Sequence, residues 1–538
     1  MPTNKFTSLF DLVARWMASS LFFRGINAGM DWIVKLCRGS FIVGLVIGDE
    51  APQKASLESS IFVRLADKLF NSIPKPIQLP ARWPTALAEL FSGSWFIRTA
   101  TNHLDTPIPP PVSNTRPGTI IVWSAYALPI WVLLAAIAAL PILPTMILAG
   151  ILLPAFLFAL FSRRFVLDGT AVFLLLFIIV SLIAGVMSVA PGSSIPIAVL
   201  TSVFMLSTLL VMACGKTRES VDLFLYGFVF ASAIAGLVGV YHVVAESGPS
   251  PQAWVDIALF ADIGLRLSST FDNANVYGTY LLLAIPLAAA CVVYAKKRLV
   301  KLCALGITGI LLLNLIATYS RGCYVALAVG AIVFVLIINK QLIVLFIPAL
   351  MALPLVLPAS VVNRIFGILN FADTSTIFRV NIWRGTLRML GDFWPVGVGQ
   401  GEYAFNRVYH FYSLGAIFTP HSHNLFLQIF AETGIVGLFL FLGTLACFFR
   451  AQVNFLRRIK EFRLRIMSAA MVAAVIGFLM QGVFDHAFYN YRVMLAFFLF
   501  IGIGIAFTRV ASPAGEEATE VTAVKETRES EWVKGYHD

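Results

Sequence analysis

Two histidines and an asparagine meet in Pro420-His421-Ser422-His423-Asn424, where a long polar stretch gives way to the apolar run from Leu425 to Phe449. Imidazole is the side chain poised to accept a proton near neutral pH, which makes His423 a candidate general base. Asn424, Gln428 and Glu432 follow at i, i+4 and i+8, so three polar groups share one helical face. At about 1.5 Å of rise per residue, Glu432 lies roughly 13 Å along that helix from His423. A carboxylate that deep in an apolar span is expensive and is a candidate site residue by default. Its sequence context leaves open catalysis, pairing with an arginine, or protonation with a hydrogen bond to a neighbouring helix. His421 and His423 also have the spacing of a metal pair, but no third ligand of matching spacing follows, so no metal and no cofactor is expected. A capping cluster without chemistry is the alternative reading of the same residues.

The elements that must position this cluster are membrane spans. Of the 538 residues, 59% are hydrophobic and only 12% charged, about half the charge of a soluble chain. The mean hydropathy of +0.85 agrees. An all-α, polytopic membrane protein is expected, with about twelve spans at 119–140, 143–161, 169–190, 195–214, 220–244, 276–294, 299–317, 321–338, 341–358, 425–449, 465–485 and 491–509. Residues 1–118 hold no convincing span and eleven prolines, and read as a cytoplasmic extension with helices on the membrane surface. Residues 119–509 form the transmembrane domain, and the polar, Glu-rich stretch 510–538 reads as a disordered cytoplasmic tail.

Charge fixes the expected orientation. With a cytoplasmic N-terminus, the inside loops carry Arg163-Arg164, Lys216, Arg218, Lys296-Lys297-Arg298, Lys340 and the basic run from Arg450 to Arg465, while the outside loops carry no lysine. Both termini then face the cytoplasm and His423 faces the exterior. The net charge of +11 belongs to this asymmetry and does not call for nucleic acid. The six cysteines are scattered and suggest neither disulfides nor zinc.

Two outside loops are long enough to build a site: residues 245–275 and the loop 359–424 before the tenth span. Apart from histidine, every basic residue expected outside is arginine, whose planar fork suits phosphate. Arg266 and Arg321 are the strongest candidates, each just before a span and beside small polar residues. In the second loop, residues 376–392 suit an interfacial helix that turns Arg379, Arg384 and Arg388 toward a polar cavity or phosphates. Anchoring to lipid headgroups is the bland reading of any single one.

These residues resemble the O-antigen ligase and polymerase superfamily. His423-Asn424, nine residues, then Gly434-Ile-Val-Gly437 is similar to the ligase motif, although Leu438 stands where many ligases have Gly, Thr or Tyr. The segment Arg266-Leu-Ser-Ser-Thr-Phe-Asp-Asn-Ala-Asn resembles the family's arginine motif, with Ser269 and Ala274 in place of its usual Gly and Pro. Ser320-Arg321 matches the Ser-Arg before a later span. The resemblance implies a metal-independent GT-C type glycosyltransferase of the bacterial cytoplasmic membrane, taking a glycan from undecaprenyl diphosphate to a glycan, lipid or protein acceptor. Arg266 and Arg321 would hold the diphosphate and His423 would be the base. A polymerase of the same superfamily is one alternative, and a transporter of a small anion such as bicarbonate is another. Transporters usually show internal repeats and broken helices with midplane ionisable residues, whereas this chain shows no repeat and its conspicuous polar groups cluster at one face.

Overall fold

The computed structural model describes residues 168–245, 266–355, 359–366, 374–414 and 418–511, with Ile147, Gly150 and Leu152 before them. The expected extension 1–118, the span 119–140, most of the span 143–161 and the tail beyond Ala511 lie outside the described residues. Among those described, the chain is helical and contains no strand. Helices run in the order α1 Gly169–Val186, α2 Pro191–Cys214, α3 Arg218–Val244, α4 Ala274–Tyr294, α5 Arg298–Ala317, α6 Arg321–Asn339, α7 Ile343–Ala352, α8 Ala359–Phe366, α9 Thr374–Phe393, α10 Glu402–Tyr409, α11 Leu425–Arg458, α12 Phe462–Phe484 and α13 Tyr491–Val510.

Nine helical stretches among the described residues are long and apolar enough to cross a membrane, so this is a polytopic membrane protein. They match the expected spans closely, with one difference. The spans expected at 321–338 and 341–358 form a single stretch, Arg321–Ala352, bent where Asn339 adopts extended backbone and its side chain accepts from the Gln341 N–H at 3.0 Å. α7 has ten residues. At about 1.5 Å per residue it reaches roughly 15 Å, half of a bilayer core.

Three helices that start near His423 begin with the same device. Asn273, Asn424 and Asn490 cap α4, α11 and α13, each side chain accepting backbone N–H groups of the first turn. Those N–H groups have no partner within the helix, and in a membrane an unmet donor is costly. Close packing then relies on small residues. A β-carbon on Gly330 of α6 would sit 2.8 Å from the Ala473 carbonyl of α12, and one on Gly477 of α12 would sit 3.1 Å from the Ala326 carbonyl. Small residues let helices approach this closely where lipid supplies no hydrophobic drive. Arg492, fully buried at the start of α13, stacks its guanidinium 4.7 Å over Phe271 and bonds Asp272 at 3.2 Å, fastening the segment before α4 to the bundle.

The loop before α11 folds onto the bundle. α9, expected over 376–392, spans Thr374–Phe393. With α10 it encloses a small second core of Ile382, Met389, Leu390, Val398, Phe405, Val408, Tyr409 and Ala431. The last of these belongs to α11, which is broken three residues later. Gly434 has φ +69, outside the helical region. The Ile435 N–H, freed from its helical partner, donates to the Trp394 carbonyl at 2.9 Å, and the Ala431 carbonyl accepts from Val398 N–H at 2.7 Å. The loop thus repairs the hydrogen bonds that the break opens. A β-carbon on Gly434 would lie 2.2 Å from the Pro395 carbonyl, which explains physically why glycine stands there.

Candidate functional site

A cavity of about 700 Å³ opens at the end of the bundle where α4, α6 and α11 begin. Arg266, Arg321, Arg379, His421, His423, Glu432, Asp485 and His486 all contribute to its wall. These residues are separated by up to 220 positions in sequence and come from five segments. Of the candidates read from sequence, Arg384, Arg388 and Asn424 are not in that wall. Arg384 and Arg388 are exposed on α9, whereas Arg379 on the same helix lines the cavity. Asn424 is spent on structure: it caps α11, and its amide donates to the Val483 carbonyl at 2.8 Å, drawing the start of α11 to the end of α12.

That link sets Asp485, the residue after α12, against His423. His423 Nδ1 lies 3.1 Å from Asp485 Oδ1. Burial alone would raise the Asp485 carboxyl, but the His423 hydrogen bond and the charges of His423 and Arg379 hold it well below the ordinary carboxylate range. An ionised carboxylate only accepts, so Nδ1 must carry the proton and Nε2 is the nitrogen left to act as base. In the sequence Asp485-His486 stands at the outer end of the span 465–485, with no spacing that ties it to His423. The pairing depends on a contact 62 residues away, which spacing cannot show.

Backbone strain singles out the same place. Among the described residues, the non-glycine positions with positive φ are Ser269, Asp272, Tyr319 and His423. They fall in the three segments that carry Arg266, Arg321 and His423. Strain of this kind persists only where the surroundings hold it, and it gathers at functional sites. His423 is held by its N–H donating to His421 Nδ1 at 3.2 Å and by Trp383 Nε1 donating to its carbonyl at 3.3 Å. His421, buried and stacked on Tyr489 at 4.8 Å, therefore works as a support. Ser269 has φ +50 where the family motif usually has glycine, and its hydroxyl donates to the Ala235 carbonyl at 2.6 Å. Ser269 thus adopts a backbone conformation that glycine takes freely.

Arg266 is 8% exposed, and its guanidinium donates to the Thr318 carbonyl at 3.0 Å and to Asn275 Oδ1 at 2.9 Å. Burial lowers its pKa, partly offset by nearby groups including Asp485, but a guanidinium starts so high that it stays charged. Opposite it, the N-cap of α6, Ser320, makes no side-chain cap bond, and beside it the buried Oε1 of Gln481 has no hydrogen-bond partner among the described residues. A long helix N-terminus and arginine are both suited to an anion.

His421, His423 and Asp485 also bring three donor atoms within 4.8 Å of one another, a grouping that could hold a metal ion. The positive charge of Arg379, felt by both His421 and Asp485, opposes a cation there. His421 Nδ1 and Asp485 Oδ1 are moreover occupied by hydrogen bonds within the protein. It is the neighbouring Arg266, Arg321 and Arg379 that give this cavity groups suited to an anion.

A pH dependence follows from the two buried histidines outside the spans. Burial pushes His486 down to about 3, and burial, then the neighbouring His423 and His486, push His421 well below its usual value. Each is neutral in the fold but free to protonate once unfolded near pH 6.5, so its contribution is complete above that pH and declines below it. Lowering the pH from 6.5 to 5.5 should cost about 1 kcal/mol for each histidine. Thermal unfolding of purified protein across this range would show it, and His486→Phe should remove about half of the slope.

Comparison with known families adds an independent finding. Residues 306–442, about a quarter of the chain, match the Wzy_C family, described as O-antigen ligase. The matched stretch runs from within α5 to the middle of α11. It includes Arg321, Arg379, His423 and Glu432, while Arg266 and Asp485 lie on either side of it. A comparison with curated proteins gave no match.

Proposed function

We propose that this protein, which carries the O-antigen ligase domain of the ligase and polymerase superfamily, transfers a glycan from a lipid diphosphate to an acceptor hydroxyl. The observation that carries the reading is the pairing of His423 with Asp485 at 3.1 Å in a cavity also lined by Arg266, Arg321 and Arg379. In this reading the cavity opens at the extracytoplasmic face of the inner membrane, as the lysine-free outer loops suggest.

The residues divide the reaction between them. His423 Nε2 takes the proton from the acceptor hydroxyl while Asp485 keeps the ring oriented and steadies the imidazolium. The acceptor oxygen bonds to the anomeric carbon of the donor as the bond from that carbon to the diphosphate oxygen breaks. The leaving group is the lipid diphosphate, and configuration inverts in one displacement. Arg266, Arg321 and Arg379, with the open N-terminus of α6, receive the charge that builds on the leaving oxygen. Guanidinium groups take the part that a divalent cation plays elsewhere.

A reconstitution tests this. Purified protein given undecaprenyl-diphosphate glycan and candidate acceptors should consume the donor and release lipid diphosphate, with EDTA leaving the rate unchanged. No donor turnover with any acceptor would sink the reading. A single transfer to another molecule identifies a ligase, whereas a ladder of lengths on the lipid identifies a polymerase, the second reading within the superfamily.

A further inference from the structure

The mechanism leaves Glu432 unused, although it is a carboxylate inside a membrane span and lines the cavity. Its Oε1 accepts two hydrogen bonds. One comes from Gln428 Nε2 at 3.0 Å, and the other from the Gly401 N–H at 3.3 Å. Gln428 is itself buried, and its Oε1 accepts the Ser422 N–H at 2.8 Å. A single carboxylate oxygen therefore connects two loops. One is Pro420–Asn424, with His423 next to Ser422. The other is Trp394–Gly401, which enters the break in α11 and leads back to α9 and Arg379.

The second loop gives the carboxylate a reason to be there. Gly397, Gly399 and Gly401 all have positive φ, so this segment turns repeatedly and has no regular structure of its own to hold it. It is fastened on its far side by Ser188 Oγ donating to the Val398 carbonyl at 2.9 Å and Ser194 Oγ donating to the Gln400 carbonyl at 2.8 Å. On the α11 side, beyond the two backbone bonds at the break, the fastening is Glu432.

We infer that Glu432 is a positioning residue, which through Gln428 and Gly401 fixes in register the His423 loop and the Trp394–Gly401 loop that follows α9, the helix carrying Arg379. It needs to accept hydrogen bonds and does not need its charge or a proton. The inference rests on His423 and Arg379 serving the transfer proposed above. Misplacing a reacting group by about 1 Å can cost about 10²-fold in rate, so loss of the link should act mainly on kcat.

The test uses full-length purified protein carrying Glu432→Gln, Glu432→Leu, Gln428→Leu or both leucine changes. Glycan transfer from the lipid-diphosphate donor and deuterium exchange of peptides covering 394–402 and 418–424 would be followed together. Glu432→Gln keeps an accepting oxygen and should stay within about threefold of the parent in kcat, with exchange unchanged. Glu432→Leu should lower kcat about 10²-fold. Donor KM should change little, and exchange should rise in both segments. Gln428→Leu should raise exchange in 418–424 alone, and the double variant should be no slower than Glu432→Leu. The inference is overturned if Glu432→Gln is as damaging as Glu432→Leu, or if Glu432→Leu leaves exchange in both segments unchanged. Should the parent show no glycan transfer at all, the proposed activity fails, and the exchange pattern still decides for or against the clamp.

Discussion

His423→Ala is expected to lower kcat by about 10³-fold, within the range that removing a positioned general base produces. The protein should still reach the membrane, because the His423 side chain makes one hydrogen bond, to Asp485, while the backbone contacts to His421 and Trp383 do not need the ring. Donor KM should move little, since the diphosphate contacts lie with the arginines. Asp485→Asn keeps the shape but lets the amide donate to Nδ1, which favours the wrong tautomer of His423. The loss should approach that of His423→Ala, because the wrong tautomer leaves no free nitrogen facing the acceptor, as with other oriented histidines. The two effects should not add: with His423 gone, Asp485→Asn has no ring left to orient. Near-normal transfer by His423→Ala would show that another group takes the proton. An additive double variant would show that Asp485 acts on something other than His423.

Much of this site was legible in the chain because its residues carry local signals. Asn424 precedes an apolar run, so it reads as a helix start, and it is the cap of α11. His423 stands out as an imidazole at that boundary, and Arg266 and Arg321 as arginines just before spans. The helix expected over 376–392 differs from α9 by a few residues because its amphipathic pattern is strong. What could not be read depends on the third dimension. Arg379, Arg384 and Arg388 are equivalent in composition, but only Arg379 turns into the cavity once α9 packs its Ile382 and Met389 face into the second core. The role of Asp485 required the Asn424 to Val483 hydrogen bond that brings two helix ends together. Glu432 was visible as an anomaly, yet its partner Gly401 is a glycine in a loop and offers no side-chain signal. A division between two spans is expected at Asn339–Lys340 and the helix does break there, but the ten-residue α7 that follows is too short to cross, which its apolar composition does not reveal.

Arg266→Ala should reduce transfer by about 10²-fold to 10³-fold, the cost of removing one preorganised donor to a developing oxyanion. In contrast to His423→Ala, donor KM should also rise, because the guanidinium meets the diphosphate in the ground state as well as in the transition state. Arg266→Lys discriminates charge from geometry. An ammonium is a point charge and cannot bond Thr318 and Asn275 while presenting a second face to a phosphate, so only a small part of the activity should return. The change also removes two contacts, one to the end of α5 and one to the first turn of α4, so folding must be checked by thermal unfolding of the purified variant. Asn275→Ala provides that control: it removes the side-chain acceptor and keeps the arginine, and it should cost stability with a much smaller loss of rate. Arg384→Ala and Arg388→Ala, exposed on α9 and away from the cavity wall, should stay within about twofold of the parent. If those two were as damaging as Arg266→Ala, the phosphate would have to lie over α9 and not between α4 and α6. Equal losses at Arg266, Arg321 and Arg379, set against silence at Arg384 and Arg388, would place the leaving group inside the cavity that His423 faces.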